Sequence, residues 1–230
     1  MTVDAVHAHR SFRTTMPTHN GPAEEVDGVT VTLPPGGLVL GSGQAGALVV
    51  RLFRSVPVRM CVVSAGQLVQ LIAYRSVALG AHVTVVTDNV GAWSRLVQAV
   101  PRGPAWLTVL PTGSRVTATG SVAHPSLVID ATRDHQALPS WEQGTWQTFV
   151  SLQPTVESSD EQRLRSYDLL VTQQLEADAA EAARRAFGLA PDRAGWLTQM
   201  PPGVLAVAAA GQLAFGQLSV SQMEQRIFGR

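Results

Sequence analysis

The sequence contains no lysine: all seventeen of its basic residues are arginine, from Arg10 to Arg230. No side chain can therefore form a Schiff base, anchor a pyridoxal cofactor, or reach the β- and γ-phosphates of a nucleotide as the lysine of a phosphate-binding loop does. Cysteine is almost as scarce. The single thiol, Cys61, lies in the apolar run from Val58 to Val63 and has no partner for an internal disulfide. It reads as a small buried hydrophobe, and the expected compartment is the cytoplasm. Charge is sparse and balanced, with 15% charged residues and 17 basic against 17 acidic side chains. That excludes the basic surface from which nucleic-acid binders draw their affinity. Asparagine and isoleucine are rare beside 20 glycines and 14 prolines, which points to a GC-rich coding bias rather than to selection at one site.

Long uninterrupted apolar spans are missing too. The stretch from Ala47 to Val63 is broken by Arg51, Arg54 and Arg59, and the run Gly203–Leu218 is short for a membrane span and centred on a Gly211-Gln212 turn. No basic, apolar, then small-residue leader precedes the fold, and no transmembrane helix is expected. What remains is enough for a substantial core. The 230 residues are 45% hydrophobic, which suits one large domain or one domain with an appendage.

Three regions follow from the patterning. Residues 1–27 are polar, with His7, His9, His19 and the Glu24-Glu25 pair, and read as a flexible tail. Residues 28–56 hold short β-branched runs, Val29–Leu33, Leu38–Leu40 and Leu48–Phe53, separated by Pro34–Gly37 and by Gly41–Gly46. They predict a small β-layer. From residue 57 to 230 the pattern alternates. Strands are expected at Met60–Val63, His82–Val86, Trp106–Leu110, Ser126–Asp130, Phe149–Leu152 and Leu169–Thr172, with helical spacing over Gly66–Ala78 and Ala92–Val100. Further helices are expected at Asp178–Phe187, closed by Gly188, and over residues 192–199, followed by a terminal hairpin of Val204–Val207 and Leu213–Leu218. Strands interleaved with helices predict an α/β fold with a mainly parallel sheet.

The string Gly41-Ser42-Gly43-Gln44-Ala45-Gly46 matches G-x-G-x-x-G, but the β-rich sequence after it is stopped by Pro57 where a dinucleotide fold needs a helix. A glycine-rich hairpin loop explains it better. The turn Ser64-Ala65-Gly66-Gln67 lies between a buried strand and a long helix, where open α/β sheets bind ligands. It has neither repeated glycines nor lysine to cradle a polyphosphate. Asp88 either bonds a ribose hydroxyl or caps the following helix. The run Leu127–Asp130 is an apolar strand ending in an acid, the pattern of a Mg²⁺-holding Walker B carboxylate. Catalytic constellations are otherwise poor. No G-x-S-x-G elbow, Ser–His–Asp order or His/Cys cluster with metal spacing occurs, and His82, His124 and His135 stand singly. Trp141 and Trp146, around Glu142–Gly144, read as an aromatic corner, either a loop anchor or a partner contact.

Taken in order, these elements resemble the ATPases of DNA translocation, conjugative coupling and type VII (ESX) secretion. The Val39–Val50 segment resembles their lead-in hairpin, Met60–Gly80 the P-loop strand and helix, Val83–Thr87 and the Trp93 helix the next unit, and Leu127–Asp130 the Walker B strand. Leu169–Gln173 is similar to the sensor strand, with Gln173 as the polar residue that would sense the γ-phosphate. The likeness covers about residues 36–220. The loop that should carry Lys-Ser/Thr is shortened to Ser64–Gln67, and the acid expected after Asp130 is Ala131. The resemblance thus implies a degenerate, non-hydrolysing relative of actinobacterial type, a P-loop-like or Rossmann-like scaffold serving a secretion assembly. No cofactor, metal or catalytic residue is expected, and the degenerate nucleotide positions are Ser64, Ala65, Gly66, Gln67, Asp88, Asp130 and Gln173. The expected partner is a protein, such as a secretion-machinery component, that would recruit the chain to the membrane. Self-association through an open edge of the terminal hairpin is a further expectation. The alternative is a nucleotide- or dinucleotide-binding enzyme or sensor using the Ser64–Gln67 turn, with Asp88 on the ribose.

Overall fold

The computed structural model describes residues 37–44, 46–64, 66–100, 105–133 and 143–229. The expected tail, the Val29–Leu33 strand, Ala65, His135 and Trp141 lie outside them. Among the described residues one ten-stranded sheet runs through the fold. Its strands are β1 (Leu38–Gly43), β2 (Gly46–Val50), β3 (Val58–Val63), β4 (His82–Thr87), β5 (Leu107–Pro111), β6 (Ser126–Ala131), β7 (Gln147–Gln153), β8 (Leu169–Thr172), β9 (Val204–Ala209) and β10 (Gln212–Leu218). Their spatial order is β2-β1-β10-β9-β8-β3-β7-β6-β4-β5. From β8 to β5 neighbours are parallel, and from β8 outward through β9, β10, β1 and β2 they are antiparallel.

The inner parallel strands β3, β6 and β8 are buried on both faces, which is why they read as continuous apolar runs such as Met60-Cys61-Val62-Val63 rather than as alternations. One face carries α1 (Gln67–Ala78), α2 (Ser94–Ala99) and α6 (Gln222–Phe228); Leu68, Ile72 and Leu96 join Met60, Val62, Ile129 and Val171 in the larger core, and Ile227 and Phe228 lie partly buried against its rim. The other carries α3 (Glu161–Leu164), α4 (Ala177–Phe187) and α5 (Arg193–Thr198), whose Leu164, Ala180, Ala183 and Leu197 pack with Cys61, Leu170 and Ala206. Gly188 closes α4 in the left-handed conformation, φ 64°, as its position predicts.

Two expectations change. The β-layer expected over 28–56 is no separate layer in its described part: β1 pairs with β10, so β1 and β2 extend the main sheet. The terminal hairpin, whose turn is Ala210-Gly211 with both φ positive, is not the border of the sheet, because β10 lies between β9 and β1, which pairs with it at Gln217 and Leu218. The outermost strands are β2 and β5. No helix of the described residues is long and apolar enough to cross a membrane.

Candidate functional site

The carboxyl ends of β3, β7, β6 and β4 form the edge where an open parallel sheet takes ligands. At β3 the chain leaves Val63, passes Ser64 and enters α1 at Gln67. Gly66 is the N-cap, with φ 105° and open space where a side chain would stand. Only glycine adopts that backbone without strain. The cap has no side-chain hydrogen bond and the first turn of α1 holds no acid. Ser64 N–H donates to the Gln153 carbonyl at 3.0 Å, which draws the turn against β7.

Asp130 ends the apolar part of β6, fully buried. Its Oδ1 accepts from the Thr132 amide at 3.0 Å and from Thr132 Oγ1 at 2.7 Å. Asp88 follows β4 and is spent on tying three loops together: Oδ1 accepts from Thr112 Oγ1 after β5, and Oδ2 from the Arg133 amide after β6 at 2.7 Å. The Thr112 hydroxyl first, then the Arg133 amide, hold this carboxyl below the usual carboxylate range. The cap of the next helical turn, Val90–Trp93, is the neighbouring residue: Asn89 Oδ1 accepts from the Ala92 amide at 3.2 Å.

Strand order separates the residues that the sequence groups together. In a dinucleotide fold the second strand lies directly beside the first, so the ribose acid is one strand away. Here β7 and β6 stand between β3 and β4. At about 4.8 Å per strand this sets Asp88 roughly 14 Å across the sheet from the Ser64 turn. Gln173 is displaced on the opposite side. It follows β8, and β3 and β7 separate it from the Asp130 strand. The polar residue between Ser64 and Asp130 is Gln153, which ends β7, is 1% exposed, and donates through Nε2 to Ser151 Oγ at 2.8 Å. Ser151 is the Cα partner of both Asp130 and Cys61, and also hydrogen-bonds Tyr167, whose hydroxyl burial holds above its usual pKa. Gln147-Thr148-Phe149-Val150-Ser151-Leu152-Gln153 carries a polar residue at every second position toward its end. That alternation is the one sequence signal for this row.

Other candidates are structural. The string Gly41–Gly46 spans the β1–β2 hairpin, with Gly43 paired to Gly46. Trp146 packs partly buried against the larger core, its amide donating to the Arg54 carbonyl at 2.8 Å. His82 and His124 flank Trp106 with ring centroids 4.6 and 6.0 Å away. Among the described residues no group of three or more His, Cys, Asp or Glu is placed to hold a metal ion. Burial pushes the Cys61 thiol up to about 12. An aromatic disulfide reagent at pH 8 is therefore expected to leave the native chain unmodified and to titrate one thiol after denaturation; rapid native labelling would contradict that burial.

The fold is that of an α/β domain of P-loop NTPase-like architecture. Among solved structures it is similar to the genome packaging NTPase B204 from Sulfolobus turreted icosahedral virus 2, in complexes with AMPPCP and with ATP-gammaS. Both have TM-scores of 0.50, at 8% and 7% identity, over 74% of this chain and 100% of that one. It is likewise similar to the cytoplasmic domain of the Thermomonospora curvata type VII secretion ATPase EccC, with a TM-score of 0.50 and 11% identity, over 83% of this chain and 30% of that one. No protein-family model and no curated protein matches the sequence.

Proposed function

We propose that this chain is a non-catalytic, P-loop-ATPase-like interaction module serving as an accessory of a larger assembly, with type VII secretion as the setting. One observation carries the reading. The β3–α1 connection is only Ser64 to Gly66, in a chain without a single lysine, so neither a phosphate cradle nor its cation is available. Support comes from the neighbouring acids. Three of the carboxylate oxygens that would hold Mg²⁺ or a ribose are engaged within the chain, Asp130 Oδ1 by Thr132, and Asp88 Oδ1 and Oδ2 by Thr112 and the Arg133 amide. The likeness to EccC supports the secretion setting, and partners in that setting are proteins.

The test is thermal unfolding and phosphate release with millimolar ATP and Mg²⁺. Neither a shift nor hydrolysis is expected. A nucleotide at a hundred times its Kd would add about 2.7 kcal/mol, a rise of roughly 5 °C or more for a chain of this size. Such a rise would overturn the reading in favour of a nucleotide sensor.

A further inference from the structure

The last helix is tied to the domain in an unusual way. α6 has seven residues, far below the roughly 12–15 at which an isolated helix becomes even marginal. Its own cap is a reciprocal box: Ser221 Oγ accepts from the Glu224 amide at 3.3 Å, and the Ser221 amide donates to Glu224 Oε2 at 2.7 Å. The rest depends on Arg75 of α1. Its Nε donates to Glu224 Oε1 at 2.6 Å and its Nη2 to Oε2 at 2.9 Å, a bidentate pair with side chains 14% and 7% exposed. The same guanidinium donates to the Val39 carbonyl at 2.6 Å, the Leu40 carbonyl at 3.3 Å and the Ser219 carbonyl. One side chain thus joins α1, β1, the linker after β10 and α6.

Apolar packing adds little to that tie. Met223 is 58% exposed, and Ile227 and Phe228 are only half-buried, Phe228 meeting Tyr74 edge-on at 6.2 Å. Beside them, between α1, α2 and α6, a cavity of about 300 Å³ is lined by Gln70, Arg95, Leu96, Ile227 and Phe228. A helix that is short, half-packed and pinned at one buried charge has two responses when the pin is lost. It can hold an unpaired buried charge, which is costly, or lift and hydrate it, which forfeits few contacts. The second is the cheaper.

We propose that α6 is a detachable strap, keyed by the Arg75–Glu224 ion pair, which opens as a local unit and bares the groove between α1 and α2. The groups facing Glu224 are Arg75 from α1 and the Ser221 amide of its own cap, while Arg226 lies on α6 itself and Arg95 of α2 stands beside Gly229 at the far end. Burial raises the Glu224 pKa, but Arg75 and the Ser221 amide outweigh it and hold the group below the usual glutamate range. With a depressed folded value, the key is fully present above the ordinary glutamate pKa of about 4.3 and is lost as pH falls through the lower, folded one.

Hydrogen exchange of the full chain, corrected for intrinsic rates, tests this. In Glu224→Gln at pH 7, the hydrogen-bonded amides of residues 225–229 are expected to exchange at least tenfold faster while β3 and β7 keep their protection. Wild-type protein should acquire the same local signature only as pH falls below the ordinary glutamate range, because Arg75 and the Ser221 amide hold Glu224 ionised beyond it, and the variant should lack that pH step. Unchanged exchange in α6, equal acceleration in α6 and the central strands, or failure of the variant to fold would each overturn the proposal, since a detachable strap is dispensable to the sheet.

Discussion

Leu170→Ala is expected to destabilise the chain by about 4 kcal/mol, toward the top of the 2–5 kcal/mol range for such truncations. Leu170 is fully buried in β8, on the face packed by α3 and α4. What decides its place in the range is how far the void can collapse. Its lateral neighbours on the sheet are Cys61 and Ala208, both short, and the helix face above contributes Ala179, Ala180 and Ala183. None of these can reach into the space. The loss is a large part of a typical total stability of about 5–15 kcal/mol, and should lower Tm by roughly 10 °C at this chain length. Urea unfolding checks it: the midpoint should fall with the slope unchanged. Val39→Ala, at a side chain 47% exposed on β1, is the control and should stay within about 0.5 kcal/mol. Equal effects from the two would mean that the core is not where β8 places it.

Gly41→Val should be nearly as damaging, for a reason that separates the two readings of the glycine string. A Cβ at Gly41 would stand 2.1 Å from the Gln217 carbonyl oxygen and 2.8 Å from its carbon. Backbone cannot rotate aside as a side chain can, so β1 and β10 must part. With β1 go the buried Leu38 and Leu40, the attachment of β2 with Leu48 and Val50, and the carbonyls that receive Arg75. A cost of about 3 kcal/mol or more is expected, at the upper end of what overpacking does. Gly66→Ala, strained only through its φ of 105° with open space around it, should cost about 1 kcal/mol. If the string held a pyrophosphate instead, Gly41→Val would spare stability and change nucleotide affinity. Thermal unfolding with and without ATP distinguishes these outcomes.

Much of this architecture is legible in the residues. Periodicity at Leu68, Leu71 and Ile72 places α1, the apolar runs before Thr87 and Asp130 place β4 and β6, and Gly188 marks the end of α4. The edge that resembles a nucleotide site is legible only in part. Ser64 and Gly66 stand where their sequence neighbours put them, in the turn between β3 and α1. Gln153, by contrast, gains its position because β7 inserts between β3 and β6, while Gln173, at the end of an equally apolar strand, is carried to the other side by β8. Nothing local distinguishes those strands. α6 is marked in the sequence by Ser221 and Glu224 three residues apart, yet its few apolar residues make no sustained period. Its docking comes from Arg75, 149 residues earlier.

By itself the sequence determined the alternation of elements, the two-sided burial of the central strands, and the absence of a lysine from any site the fold could build. Those depend on residue identity and near-neighbour spacing, which backbone geometry and turn chemistry read directly. Tertiary structure alone decided that β1 and β2 complete the main sheet, that Asp88 lies three strands from Ser64, and that one arginine holds the last helix. Those are pairings between distant segments. An apolar strand is complementary to any other of similar length, so its neighbour is selected only when the whole sheet, its crossovers and both helical layers are satisfied at once.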